Sequence, residues 1–176
     1  MNIVQRLTEI ISEQRVLTGE SLLERYHHIW KMHEPLRALA VVLPESTVEV
    51  SQIMQLCHST EQSVVVFGGL TNLVGATETN GDEIIVSLER MTSIHEIDIQ
   101  SRTMTVDAGV ILESILAEAD EYDLLFPLNF GAKGSARIGG VIATNAGGLR
   151  VFKYGMTRQL VLGLEVVLAD GTIISS

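Results

Sequence analysis

The feature that most narrows the fold is the run from Ala38 to Leu43, six apolar residues in succession closed by Pro44. A strand with no polar face must be covered on both sides, which is the habit of parallel sheets in α/β units. The next fifty residues fit such a unit. Ser46 and Glu49 form a capping-box pattern and open a helix with Val50, Ile53, Met54 and Cys57 on one side. Val64 to Phe67 then reads as a second strand and Glu83 to Leu88 as a third. The expected unit is a small parallel α/β lobe, wound right-handed.

The flanking segments differ. Asn2 to Glu13 reads as a helix with Ile3, Leu7, Ile10 and Ile11 on one face. Thr18 is placed to cap a second helix whose buried side is Leu22, Leu23, Tyr26, Ile29 and Trp30. His27 and His28 point apart on such a helix and lack a third ligand, which suits a surface or core-edge role better than metal binding. Beyond residue 90 the pattern changes. Thr103 to Asp107 alternates like a half-buried strand, and Val110 to Glu121 suits a helix. Leu160 to Ala169 and Thr172 to Ser175 flank Asp170-Gly171, a two-residue hairpin signal. Antiparallel pairing there makes the second lobe α+β. The expected division is a helical segment over 1–33 and a two-lobed domain over 34–176, with lobes of about 34–90 and 91–176.

Composition removes several classes of function. A net charge of −10 leaves no broad surface for nucleic acid, which needs clustered Lys and Arg. Cys57 is the only cysteine and lies on an apolar helix stripe, so no internal disulfide or thiolate metal site can form. No apolar run approaches the ~18 residues of a membrane span, and the start carries Glu9 and Glu13 with no signal-peptide core. A soluble cytoplasmic protein without a bound metal is expected.

Ten of the fifteen glycines fall in two windows. Gly68, Gly69 and Gly75 follow the Val64–Phe67 strand; Gly131, Gly134, Gly139, Gly140, Gly147, Gly148 and Gly155 lie between Pro127 and Arg158. Glycine lets backbone N–H groups converge on an anion, although tight turns alone account equally well for the first window. Charge separates the two readings. Leu124 to Leu164 contains none of the 22 acidic residues but five of the twelve basic ones, Lys133, Arg137, Arg150, Lys153 and Arg158. An acid-free, glycine-rich, basic segment in an acidic chain suits a phosphate-bearing ligand. Thr71, Asn72, Ser135, Thr144 and Asn145 add short polar side chains beside the glycines. Two separated clusters can bracket a dinucleotide. Neither usual motif supplies the site: the first loop reads G-G-x-x-x-x-x-G, not G-x-G-x-x-G, and no G-x-x-x-x-G-K-[ST] is present.

The stretch PLNFGAKGSARIGGVIATNAGGLRVFKYG, followed by LVLGLEVVLADGT, resembles the FAD-linked oxidases of the D-2-hydroxyacid dehydrogenase type. That family includes D-2-hydroxyglutarate dehydrogenases, D-lactate dehydrogenases and the glycolate oxidase flavin subunit, and the GAKGS and DEII segments are nearest the first branch. The resemblance runs from about Glu34 onward. It implies an α+β, two-lobed FAD-binding PCMH-type (vanillyl-alcohol oxidase) fold, a small parallel α/β lobe plus an antiparallel α+β lobe with FAD between them. By position, Gly68, Gly69, Leu70, Thr71, Asn72, Leu73 and Gly75 match the pyrophosphate loop. Pro127, Leu128, Gly131, Ala132, Ser135, Gly139, Gly140, Thr144, Asn145 and Gly147 match the second cofactor stretch. Relatives with covalent flavin carry a histidine where this chain has Gly69-Leu70-Thr71, so non-covalent FAD is implied. Arg150, Lys153 and Tyr154 match the segment leaving the flavin site, where structural and substrate-steering roles are both open.

The chain departs from the family loop at Val66 for a proline, Asn72 for a glycine and Ala76 for the last glycine, and at Val141 for a frequent asparagine. Ala76 would be strained if its φ were positive. Weakened FAD affinity is expected. Family members are more than twice this length, and their catalytic histidines and substrate-binding basic residues lie in a C-terminal cap domain. The chain is accordingly expected to be an inactive fragment lacking that domain, its catalytic residues unknown. The implied whole enzyme oxidises a D-2-hydroxy acid to the 2-oxo acid by hydride transfer to flavin. It then passes electrons to an unidentified acceptor, with a homodimer and a place on the inner face of a bacterial membrane compatible. The alternatives are an isolated flavin-binding module without catalysis and, less well matched, a reductase of the cell-wall precursor type on the same fold.

Overall fold

The computed structural model describes residues 2–176. Helix α1 spans Ile3–Ile11 and is closed by a reciprocal cap, Asn2 Oδ1 accepting from the Gln5 N–H and Gln5 Oε1 from the Asn2 N–H. After it come strand β1 (Val16–Leu17), β2 (Ala40–Val42), helix α2 (Thr47–Ser59), β3 (Val64–Phe67) and β4 (Ile84–Ser87). The sheet order is β1-β2-β4-β3, with β4 parallel to both neighbours and β1 antiparallel to β2. Side chains alternate across it. Ala40, Val42, Ile84 and Val86 meet Leu7 and Ile11 of α1 and Ile53, Leu56 and Cys57 of α2. Val41, Leu43, Phe67 and Ile85 face the other way and meet Leu22 and Leu36. Both faces of the central strands are therefore buried, as the apolar runs demand. Ser46 caps α2 through the Glu49 N–H, while the Glu49 carboxylate turns to the Glu45 N–H and Arg15 instead of the cap backbone.

The segment that covers the second face is not the helix its pattern suggests. A single 3-10 turn over Gly19–Leu22 gives way to turns and bends up to Leu36, and Thr18 makes no side-chain cap. Leu22 is buried, but Leu23 is 65% and Trp30 70% exposed. The backbone groups of this stretch take partners distant in sequence, the Ile29 N–H donating to the Leu70 carbonyl at 3.2 Å, which leaves no i→i−4 ladder to build.

The second lobe begins with an antiparallel pair, β5 (Ile94–Asp98) and β6 (Thr103–Val106), with an irregularity between Ile94 and Glu96. Helix α3 (Leu112–Asp120) starts two residues later than its pattern; short α4 (Ile138–Ala143) and α5 (Val151–Tyr154) come after it. Leu112, Ile115, Leu128, Ala136, Ile138 and Val141 form this lobe's core. The final hairpin joins β7 (Glu165–Val167) and β8 (Ile173–Ser175). Residues 157–160 form a 3-10 turn, so the strand is shorter than Leu160–Ala169. Its loop is also longer than two residues. Leu168 and Thr172 pair through a 2.8 Å bond across Ala169-Asp170-Gly171, and Gly171 takes φ +85°. That is the three-residue hairpin with a left-handed glycine, selected here because Gly171 also sits against α2, its carbonyl accepting from the buried Ser51 hydroxyl at 2.6 Å.

Candidate functional site

The first glycine loop leaves the carboxyl end of β3, beside the carboxyl end of β4, where open parallel sheets bind ligands. It turns through Leu70, whose φ is +56° although it carries a side chain. That conformation is uncommon outside glycine. It is held here because the Leu70 side chain packs on the second-face core while its carbonyl accepts from Ile29. Gly75 is the other left-handed residue of the loop, at φ +69°; Asn72 and Ala76 have ordinary negative φ. The strain expected at Ala76 is therefore absent. Asn72 works instead through its side chain, Oδ1 accepting from the N–H groups of Val74 and Ala76 at 3.1 and 3.2 Å and Nδ2 donating to Thr77.

Carbonyls and amides of this loop point to different company. Asn72 O is engaged by His28 and Leu70 O by Ile29, whereas among the described residues nothing accepts from the N–H groups of Gly69 to Leu73. Five consecutive unclaimed donors at the end of parallel strands are what an anionic group requires, and they supply it without a charged side chain.

The second window comes up against the first. A Cβ built on Gly68 would lie 3.9 Å from the Gly140 nitrogen, and one on Gly69 would collide with the Ser135 carbonyl. Gly140 and Gly131 themselves face open space, and the Gly140 N–H, in the first turn of α4, is likewise without an acceptor among the described residues. Gly139 lies tight against Ala108, its N–H donating to that carbonyl at 2.8 Å. Other members of the stretch are occupied locally. Leu128 belongs to the lobe core, Thr144 Oγ1 donates to Gly140 O at 2.9 Å, and Asn145 Oδ1 accepts from the Arg158 N–H at 2.9 Å. Pro127 and Ala132 are partly buried beside them, and Gly147 is packed under Met156. Lys133 is neutralised by Glu113 at 2.9 Å, leaving Arg150, Lys153 and Arg158 exposed at the surface.

Three features of the site carry no local sequence signal. Arg25 forms a two-pronged pair with Glu89 at 2.9 and 2.8 Å, and the Ser87 hydroxyl donates to the same carboxylate at 2.8 Å. The paired guanidinium holds Glu89 below the ordinary carboxylate range. Gly109 is pressed so close to the Leu88 and Met91 carbonyls that no side chain fits, and its own carbonyl accepts from Arg137. Burial pushes the Arg137 guanidinium down while nearby Glu89 opposes the shift. Gly109 of the second lobe thus packs directly on Leu88 of the first, and Arg137 holds the Gly109 carbonyl. The third is His28, engaged to Asn72.

The fold is that of an FAD-binding domain of the PCMH type. Grass pollen allergen Phl p 4, which has glucose dehydrogenase activity, superposes with a TM-score of 0.87 at 18% identity, over 99% of this chain and 38% of its own. The 6-hydroxy-D-nicotine oxidase of Arthrobacter nicotinovorans gives 0.79 at 23%, over 92% and 35%. A family model described as FAD binding domain matches residues 38–176, and the chain belongs to that family; its cofactor is FAD. A probable mitochondrial D-2-hydroxyglutarate dehydrogenase from Oryza sativa subsp. indica is 40% identical over 97% of this chain and 31% of its own length. The D-2-hydroxyglutarate dehydrogenase of Xanthomonas citri pv. viticola is 38% identical over 96% and 36%. The chain thus spans about a third of the length of the curated relatives it matches. No helix among the described residues is long and apolar enough to cross a membrane.

Proposed function

We propose that this chain is the FAD-binding portion of an oxidoreductase that oxidises a D-2-hydroxy acid, of the 2-hydroxyglutarate class, to the 2-oxo acid. The observation that carries the cofactor half is the run of unclaimed N–H groups from Gly69 to Leu73 in a loop that packs against the second glycine window. The substrate half rests on about 40% identity to proteins named as D-2-hydroxyglutarate dehydrogenases. In this reading Gly68 to Gly75 hold the FAD pyrophosphate through backbone donors. Gly131, Ala132, Ser135, Gly139 and Gly140 line the other side, where absent side chains let the ligand approach. Bound FAD supplies the acceptor for the hydride that leaves the substrate α-carbon. Attachment is non-covalent, because the loop holds no histidine or cysteine and both ring nitrogens of nearby His28 are engaged, by Asn72 and by Trp30.

The chain alone is a binding unit in this reading. No Asp or Glu occurs from Leu124 to Leu164, so the second window brings no carboxylate to take the hydroxyl proton. The lobes divide near residue 90, and the substrate-binding cap, the electron acceptor and any homodimer contact belong to the whole enzyme, which we place in the cytoplasm. The test is a titration of the purified chain with FAD followed by flavin fluorescence. Saturable one-to-one binding, with all flavin released on denaturation, is expected; no binding overturns the cofactor reading. In the whole enzyme, anaerobic bleaching of the flavin by D-2-hydroxyglutarate and not by the L-enantiomer is expected. Bleaching by neither, with FAD bound, leaves the flavin-binding module without catalysis.

A further inference from the structure

Residues 27–30 run along the carbonyl side of the first glycine loop. The Ile29 N–H donates to Leu70 O at 3.2 Å, and His28 Nε2 stands 2.6 Å from Asn72 O. The other nitrogen of His28 settles its tautomer. The Trp30 N–H donates to His28 Nδ1 at 3.1 Å, so Nδ1 carries the lone pair and Nε2 carries the proton that it donates to Asn72. The ring also lies 5.1 Å from the Trp30 ring, tilted by 54°.

A trans peptide is planar, with its C=O and the following N–H on opposite sides. Anchoring the Asn72 carbonyl toward His28 therefore turns the Leu73 N–H the other way, and anchoring the Leu70 carbonyl toward Ile29 does the same for Thr71. Those two N–H groups are among the unclaimed donors of the loop. We infer that His28 is a positioning residue for the cofactor: its neutral Nε2–H holds the outer face of the loop so that the inner amides stand ready for the anionic group. The Leu70 carbonyl is held by Ile29, and His28 is the group that holds the Asn72 carbonyl, so its part of the clamp is the orientation of the 72–73 peptide. This inference rests on the FAD reading above.

The experiment is FAD titration of the full chain as wild type, His28→Phe and His28→Gln, with thermal melting of each apoprotein. Phe keeps the ring against Trp30 and removes the donor; Gln keeps an amide donor near the Nε2 position. Losing one pre-orienting hydrogen bond is expected to weaken FAD binding about tenfold in His28→Phe, at temperatures well below its melting point, with recovery to within about threefold in His28→Gln. Wild type that binds while His28→Phe binds equally well overturns the inference and leaves the FAD reading intact. So does equal weakening in both variants. Wild type that does not bind overturns both. Should His28→Phe not fold, hydrogen exchange on the wild type decides: protection of the Thr71 and Leu73 amides on adding FAD is expected, and its absence despite binding overturns the inference.

Discussion

Gly69 and Ser135 touch backbone to backbone: a Cβ on Gly69 would stand 2.0 Å from the Ser135 carbonyl oxygen and 2.8 Å from the Ala136 Cα. Neither neighbour is a flexible side chain that could swing away. Gly69→Ala must therefore push the first loop off the second. Overpacking of this kind costs about 1–3 kcal/mol. In the proposed reading the separated loops would also lose their common face toward FAD. A lower urea midpoint together with loss of FAD binding is expected, and unchanged binding would show that the two windows do not act on one ligand.

Gly140 gives the opposite combination. It lies in α4 with open space where a Cβ would go, so alanine there is free of clashes and favoured by helix propensity. Gly140→Ala is expected to raise stability by up to about 1 kcal/mol. The same methyl group stands where the α4 amide would approach FAD, and affinity should fall about tenfold or more. Stability rising while affinity falls marks a glycine kept for the ligand. A rise in both places the cofactor elsewhere.

The bond from Arg25 to Glu89 fastens the irregular cover segment to the end of β4. With side-chain exposures of 27% and 31%, the pair is worth less than a fully buried one, about 1–2 kcal/mol. Arg25 is the largest cause of the depressed Glu89 pKa, with the Ser87 hydroxyl adding to it. A carboxylate held low in the folded state stabilises above its unfolded value, about 4.5, and that stability is lost as pH falls through the folded value. Glu89→Gln should therefore melt below wild type near neutral pH, with the gap closing as pH drops under about 4.5. A gap that stays constant with pH removes the charge from the explanation.

The parts of the molecule legible in the sequence are those whose cause is local. Ala40 to Val42 and Ile84 to Val86 are apolar because both faces are covered within one lobe, and the runs say so directly. The two glycine windows stand out by spacing and by the missing carboxylates. The path from Thr18 to Leu36 does not, because its structure is imposed by Leu70, Asn72 and Glu89, each more than 40 residues away. Leu23 and Trp30 fit a helical stripe by spacing alone, and that spacing carried no information about their exposure. Gly109 was equally silent, since what forbids a side chain there is the carbonyls of Leu88 and Met91. At the last hairpin Asp170-Gly171 marked the turn, but the docking of Gly171 on Ser51 selected the longer loop.

Cys57 tests whether the first lobe opens as a unit. It lies on the inner side of α2, 1% exposed, among Leu7, Ile11, Ile53 and Leu56. Burial alone pushes its thiol up to about 11, so little of the reactive thiolate exists at neutral pH while the core is closed. The sheet and α1 pack on its inner side. Although it borders a surface cavity with His58 and Gln62, its 1% exposure leaves a reagent almost no access until the core loosens, so the labelling rate should follow the unfolding equilibrium. Titration with a chromogenic disulfide at slightly alkaline pH is expected to show no rapid thiol in the native chain and one after denaturation. Adding FAD should slow native labelling further, in proportion to the stability the ligand confers on the folded state. Labelling within seconds, or at a rate that ignores denaturant, would mean that α2 lifts away from the sheet by itself.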